Sequence, residues 1–327
     1  MFYMHDRLNN IIHRQNINSG DILKQLTARP SKGRHTKEIT IMANMDINNS
    51  DVSGTRETVL PPLSRTKGPT VTMFAPYDCN NSCPFCVNKK EYRDTSSFSI
   101  KRCYDALDIM DRIFPENDVV LTGGEPLADL DALQSILDHI RPSHHIYINT
   151  TLPTNEANTE EVVAAFLNRN ADKISCVNVS RHLKHYVKEC SDDIFSMLKV
   201  RHRINCVVFD DTTKEKLRAF LDRFNGHEVQ LRANYSKLTL DNVFKTEDDD
   251  LFHLIESICK YEGQLEKELF RTGFVFSYRD SKITYHKTLP YSKINGRIGD
   301  IIIRQTGFIY DDWNDYGEQL NINDLIL

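Results

Sequence analysis

From Pro69 onward the apolar positions alternate between two periods. "TVTMFAP" is a β-branched and aromatic run bounded by prolines, which predicts a strand. "KRCYDALDIMDRIF" then spaces Ala106, Ile109, Met110 and Ile113 as one face of a helix does. "DVVLT" is a short buried strand, "ADLDALQSILDHI" a helix and "HHIYINTT" a strand. "NEANTEEVVAAFLNR" is a helix with acidic residues in its early turns, where they favour the positive end of the dipole. "KISCVNVS", "RINCVVFD" and "EVQLRAN" are strands, separated by helices "SDDIFSMLKV" and "TTKEKLRAFLDRF". Six strand–helix units in about 175 residues imply parallel strands joined by right-handed crossovers. A doubly wound sheet and part of a (β/α) barrel both fit, and the pattern alone does not choose.

The pattern changes at both ends. "DDDLFHLIESICKYEGQLEKELF" reads as helical. "GFVFSYRD", "KITYHKTL", "GDIIIRQ" and "FIYDDW" read as strands, paired through tight turns at "DS" and "TG". At the other end, "DRLNNIIHRQ" and "DILKQLTA" each predict a short amphipathic helix. The Asn-, Ser-, Gly- and Pro-rich stretch that follows buries too little apolar surface to order itself. The expected division is an extension over 1–68, a strand–helix core over 69–245, and a helix with a β-rich cap over 246–327.

Charge adds little. The net charge of −5 gives no global reason to bind nucleic acid. Residues 1–70 carry 10 Lys/Arg against 6 Asp/Glu, a mildly basic arm on an acidic body. No stretch is long and apolar enough to span a bilayer, and the first residues lack an apolar signal core. A soluble chain in a reducing cytoplasm is expected, where clustered cysteines bind metal or do chemistry more often than they form disulfides.

Three of the eight cysteines, Cys79, Cys83 and Cys86, lie in "DCNNSCPFCVN". They follow the first strand of the parallel set, at the carboxyl edge where α/β folds place ligands. A structural zinc site needs four ligands and usually two such knuckles. No second knuckle exists, although a distant His or Cys would complete the set. A [4Fe–4S] cluster held by three thiolates, with one iron left open, suits this count.

"CNNSCPFC" resembles the signature of the radical S-adenosylmethionine superfamily, whose three cysteines take this spacing and whose residue before the last is aromatic, here Phe85. "TGGEP", at Thr122–Pro126 after the second strand, resembles the family's stretch that binds the methionine amino group. The resemblance extends over about residues 69–235, on the two motifs together. It implies one [4Fe–4S] cluster on Cys79, Cys83 and Cys86. The open iron would chelate S-adenosylmethionine, and reduction would release a 5′-deoxyadenosyl radical that removes hydrogen from a substrate. It places Gly123, Gly124, Glu125 and Pro126 at the methionine amino group. Asn149 and Thr150 fall at the ribose or carboxylate, Ser180 and Arg181 at the carboxylate, and Asn205 and Val207 at the adenosine. Arg232 falls toward the substrate. The core is similar to that of the molybdenum-cofactor synthase, so the expected fold is α/β: a partial (β/α)6 TIM-like barrel with a β-rich C-terminal cap and a poorly ordered N-terminal extension.

Only Cys259 follows Cys206, so a cysteine-rich C-terminal domain with an auxiliary cluster is not expected. The resemblance implies an electron donor such as flavodoxin or ferredoxin. The expected substrate is a small polar metabolite, nucleoside- or sugar-like. A peptide or RNA docked by the basic arm is the alternative, and a non-catalytic metal-binding protein a remote one. In the tail, Arg304, Tyr310, Asp311, Asp312 and Trp313, and likewise Tyr285, His286 and Lys287, read first as packing.

Overall fold

The computed structural model describes residues 69–74, 79, 81, 83–86, 98–268, 270–294, 297–313 and 318–320, with the backbone of Thr40–Ile41. These residues belong to one compact unit, Ile39–Leu327. The expected N-terminal helices and the polar stretch after them lie outside the described residues.

Six strands appear where the alternation predicts them: β1 (Thr70–Met73), β2 (Asp118–Leu121), β3 (His145–Thr150), β4 (Ile174–Ser180), β5 (His202–Val208) and β6 (Val229–Ala233). Helices α1 (Ile100–Ile113), α2 (Leu130–His139), α3 (Glu160–Arg169), α4 (Ile194–Met197) and α5 (Lys214–Arg223) separate them. Then come α6 (Asp250–Glu256), β7 (Lys260–Glu268), β8 (Arg271–Tyr278), β9 (Ser281–Thr288), β10 (Asp300–Ile303) and β11 (Ile309–Tyr310). All eleven strands form one sheet in the order β11-β10-β1-β2-β3-β4-β5-β6-β9-β8-β7. The eight from β10 to β9 run parallel. The C-terminal strands therefore extend the sheet at both ends: β9 lies beside β6, and β10 beside β1.

The faces of the sheet differ. One carries Val71, Met73, Val119, Leu121, Ile146, Ile148, Val177, Val179, Ile204, Cys206, Leu231 and Ile283, in a single buried cluster with the apolar residues of the helices. The other carries Thr70, Thr72, Asn149, Asn178, Ser180, Asn205 and Gln230, from the same strands one residue out of phase. A doubly wound sheet buries both faces under helices. An apolar face under helices and a polar inner face are the arrangement of a barrel wall.

Two expected helices are shorter than their pattern. α4 stops at Met197 because Asn168, on α3, ends it: its Nδ2 donates to the Met197 carbonyl at 2.8 Å and its Oδ1 accepts from Lys199 N at 2.6 Å. α6 stops at Glu256, and "KYEGQLEKE" forms β7. Gly263 holds φ 142° there, between two register shifts against β8. β7 ends the sheet, and its lysine and glutamates are common on edge strands.

Among the described residues no helix is long and apolar enough to cross a membrane. The β10–β11 turn depends on Gly307, at φ 78°, where an added Cβ would lie 2.6 Å from the Arg102 carbonyl carbon. Gly307→Ala is expected to cost about 2 kcal/mol, read from the midpoint of denaturant unfolding.

Candidate functional site

The carboxyl edges of β1 to β5 bring most of the singled-out residues together. Cys79, Cys83 and Cys86 are half-buried. A turn, Cys86 N to Cys83 O at 3.1 Å, shapes the end of their loop. Two apolar packs flank it. Phe74 and Ile302 hold one side with Phe98, Tyr310 and Trp313, and Cys79 and Cys86 pack against them. On the other side the Phe85 ring meets His182 at 4.8 Å, Tyr186 at 5.6 Å and Phe209 at 5.9 Å between centroids. Asn81 ties the loop down. Its Nδ2 donates to Thr151 Oγ1 at 3.4 Å, and its Oδ1 accepts from Lys188 N at 2.9 Å.

Burial raises the Cys83 thiol to about 11, and the neighbouring Cys86, Cys79 and Glu125 charges add to it. Burial also raises Cys79, with Glu125 and Cys86 adding and Asn81 opposing. Three thiolates beside a carboxylate therefore call for positive charge among them. Among the described residues no three Cys, His, Asp or Glu side chains are grouped to hold one metal ion. A four-iron cluster takes each thiolate on a different iron, so its ligands stand further apart than those of a single ion. The donor set and its electrostatics fit that cluster.

Glu125 is fully buried. Its Oε1 accepts from Thr150 Oγ1 at 2.5 Å and Leu127 N at 3.2 Å, and its Oε2 from Thr151 N and Oγ1, both at 2.7 Å. Burial raises its pKa, and these hydrogen bonds oppose the shift. None of the ion pairs among the described residues involves it, so a ligand ammonium fits beside it. Gly123, at φ 51°, makes the turn before it, and Thr122 N and Gly123 N donate to Met73 O at 3.0 and 3.4 Å. Pro126 begins the short 3-10 turn Pro126–Ala128, which Glu125 caps. Gly124 lies between them.

Asn149 lies on the polar face and accepts from Asn178 Nδ2 at 2.7 Å; Thr150 is committed to Glu125. Ser180 and Asn205 pair in register on that face. Arg181 is bonded within the protein. It follows Ser180, is 0% exposed, and donates to the carbonyls of Thr151 at 2.9 Å and Ser180 at 3.0 Å and to Cys190 Sγ at 3.3 Å. Its guanidinium also lies over Phe195. Its Nη atoms make these bonds, while Nε is buried without a hydrogen-bond partner among the described residues, 3.9 Å from the Glu189 and Asp192 carboxylates; Arg181→Met is expected to cost about 3 kcal/mol in denaturant unfolding. Val207 lines a shallow pocket with Tyr186, Phe209 and Lys184, and Val207 N donates to His182 Nδ1 at 3.2 Å. Burial, and then Arg181, lower His182 to about 4, so the ring is neutral. Arg232 faces the same side as Val207, in register with it.

The tail residues are structural. Lys287 Nζ pairs with Asp249 at 2.8 Å, and Tyr285 Oη donates to the same carboxylate. Arg304 stacks on Tyr310 at 4.4 Å, Asp311 pairs with Lys293, and Asp312 accepts from Ser292 N at 2.7 Å. Sequence reasoning did not single out Asn81, Thr151 or His182. They sit beside the motifs, in "CNNSC", "NTT" and "SRH", but their roles arise from contacts between loops.

Residues 75–180 match the family model described as the radical SAM superfamily. Its cofactors are a [4Fe–4S] cluster and S-adenosylmethionine. The radical SAM cyclopropyl synthase TigE of Paramaledivibacter caminithermalis is 22% identical over 277 residues, covering 76% of this chain and 58% of that protein. Among solved structures, native anSMEcpe with bound AdoMet and Cp18Cys peptide is 18% identical at a TM-score of 0.37, covering 56% of this chain and 55% of that one. Streptococcus suis SuiB is 18% identical at 0.36, covering 58% and 46%. The chain thus spans little more than half the length of the first relatives it matches.

Proposed function

We propose that this chain is a radical SAM enzyme acting on a small polar substrate at the inner face of the sheet. The observation that carries the reading is Glu125: a buried carboxylate with four donors and no ion pair among the described residues, close to the three-cysteine loop. Cys79, Cys83 and Cys86 would hold the cluster, and Glu125 would meet the methionine ammonium. When bound, the cluster and S-adenosylmethionine would supply the chemistry of one-electron reduction and hydrogen abstraction at this loop. Phe85 and its neighbours, with Phe74, Tyr310 and Trp313, keep water from the loop. The polar inner face supports a hydrogen-bonding substrate. The cyclopropyl synthase adds a candidate outcome, closure of a three-membered carbon ring. The reaction needs a one-electron donor of the flavodoxin or ferredoxin class.

A peptide substrate is the second reading. β7 favours it: at the end of the sheet, with Tyr261 and Leu265 exposed, it is a surface on which an extended peptide adds as a strand.

The test is the electron paramagnetic resonance spectrum of the reduced, reconstituted protein with and without S-adenosylmethionine. A cluster with an open iron changes its signal when the ligand is added. An unchanged signal counts against the reading.

A further inference from the structure

One row of the inner face holds two amide oxygens without hydrogen-bond partners among the described residues. Ser180, Asn205, Gln230 and Thr284 stand in register across β4, β5, β6 and β9, on the same side of the sheet. The row beneath is closed on itself: Asn178 donates to Asn149 at 2.7 Å and accepts from Arg203 Nε at 2.6 Å. The row above carries Val207, Arg232 and His286. In the middle row Asn205 Oδ1 and Gln230 Oε1 are buried and accept no hydrogen bond from any described residue. Gln230 is only 5% exposed. Neither the Ser180 nor the Thr284 hydroxyl reaches them.

Folded proteins leave few buried polar atoms unpaired, and such atoms call for an explanation. Two adjacent strands place an amide at the same height here, and molecules bound along that row are the simpler explanation. The amides are neutral and offer both donors and acceptors. They match a neutral group of the same kind, a carboxamide or adjacent hydroxyls, and match neither a hydrocarbon nor an isolated anion. The resemblance gives Ser180 and Asn205 to the cofactor. Gln230 and Thr284 are on the next two strands, where a molecule beside the cofactor would lie.

We propose that Gln230, with Thr284 beside it, forms a substrate subsite for a neutral hydrogen-bonding group. This rests on the radical SAM reading only in naming the occupant a substrate; the unpaired amide oxygens are a property of the sheet.

The test uses the full-length, reconstituted protein and its Gln230→Met variant, compared by scanning calorimetry. Methionine keeps the length of the side chain and removes the amide. Replacing an unpaired buried amide by an apolar group is expected to raise the melting temperature by about 2 °C. N-methylacetamide serves as the carboxamide probe and meso-erythritol as the hydroxyl probe. One of them is expected to raise the melting temperature of the wild type saturably, and more than that of the variant, through binding to the folded state. Which one does so distinguishes the two chemistries. A variant that melts lower than the wild type means that the amide is held structurally, and overturns the proposal. Equal responses of wild type and variant to both probes also overturn it. Failure of the radical SAM reading shows separately, in the resonance spectrum of the wild type.

Discussion

Cys83→Ala is expected to take the reconstituted chain from about four irons to fewer than one and to end S-adenosylmethionine cleavage. Two thiolates from one short loop leave two irons without protein ligands, and a cluster with half its sites open is labile. The loss should come from chemistry rather than unfolding. Cys83 is half-buried, and its Sγ makes a long contact, 3.7 Å, with the Tyr186 carbonyl oxygen. Removing it should change the stability of the cluster-free chain by no more than about 1 kcal/mol. Cys190→Ala is the control, since Cys190 is also half-buried but accepts from Arg181 away from the loop. It should keep its iron. Equal iron loss in both variants would remove the special status of the loop.

Glu125→Gln is expected to weaken S-adenosylmethionine binding by about 30-fold or more, because it removes one partner of a buried charge pair. The fold should survive. Glutamine keeps one acceptor, but its NH2 faces donors that now lack a partner, at a cost of about 1–2 kcal/mol. Equilibrium binding to the reconstituted protein, with iron content measured on the same sample, separates affinity from cluster loss. Affinity within threefold of wild type would exclude Glu125 from the ligand's amino group.

Much of the fold was legible because its signals are local. "TVTM", "DVVL" and "ISCVNVS" are continuous β-rich runs, and strands covered on both faces read that way. Of the inner-face row, Ser180 and Asn205 were singled out by resemblance, but Gln230 and Thr284 gain meaning only once β5, β6 and β9 are in register. α4 was read as too long, because Asn168 ends it from a different helix. β7 was read as helix, because Glu, Lys, Gln and Leu suit helices and the strand owes its form to pairing with β8. β10 was read as a strand, but its place beside β1 depends on a pairing between Asp300 and Thr70 that no window of sequence spans.

The candidate site divides in the same way. Cysteine spacing and "GGEP" are chain-local, so the loop and Glu125 could be singled out from sequence. Arg181 is read at the cofactor carboxylate by resemblance, and its Nη donors go to Thr151, Ser180 and Cys190. Its neighbour His182 links β5 to Phe85, a role set by tertiary contacts.

The most direct measurement is the yield of 5′-deoxyadenosine from the anaerobically reconstituted chain, reduced with dithionite in the presence of S-adenosylmethionine. The account predicts 5′-deoxyadenosine from the wild type and none above background from Cys83→Ala. No product from iron-loaded wild type, or equal product from the two proteins, would contradict it.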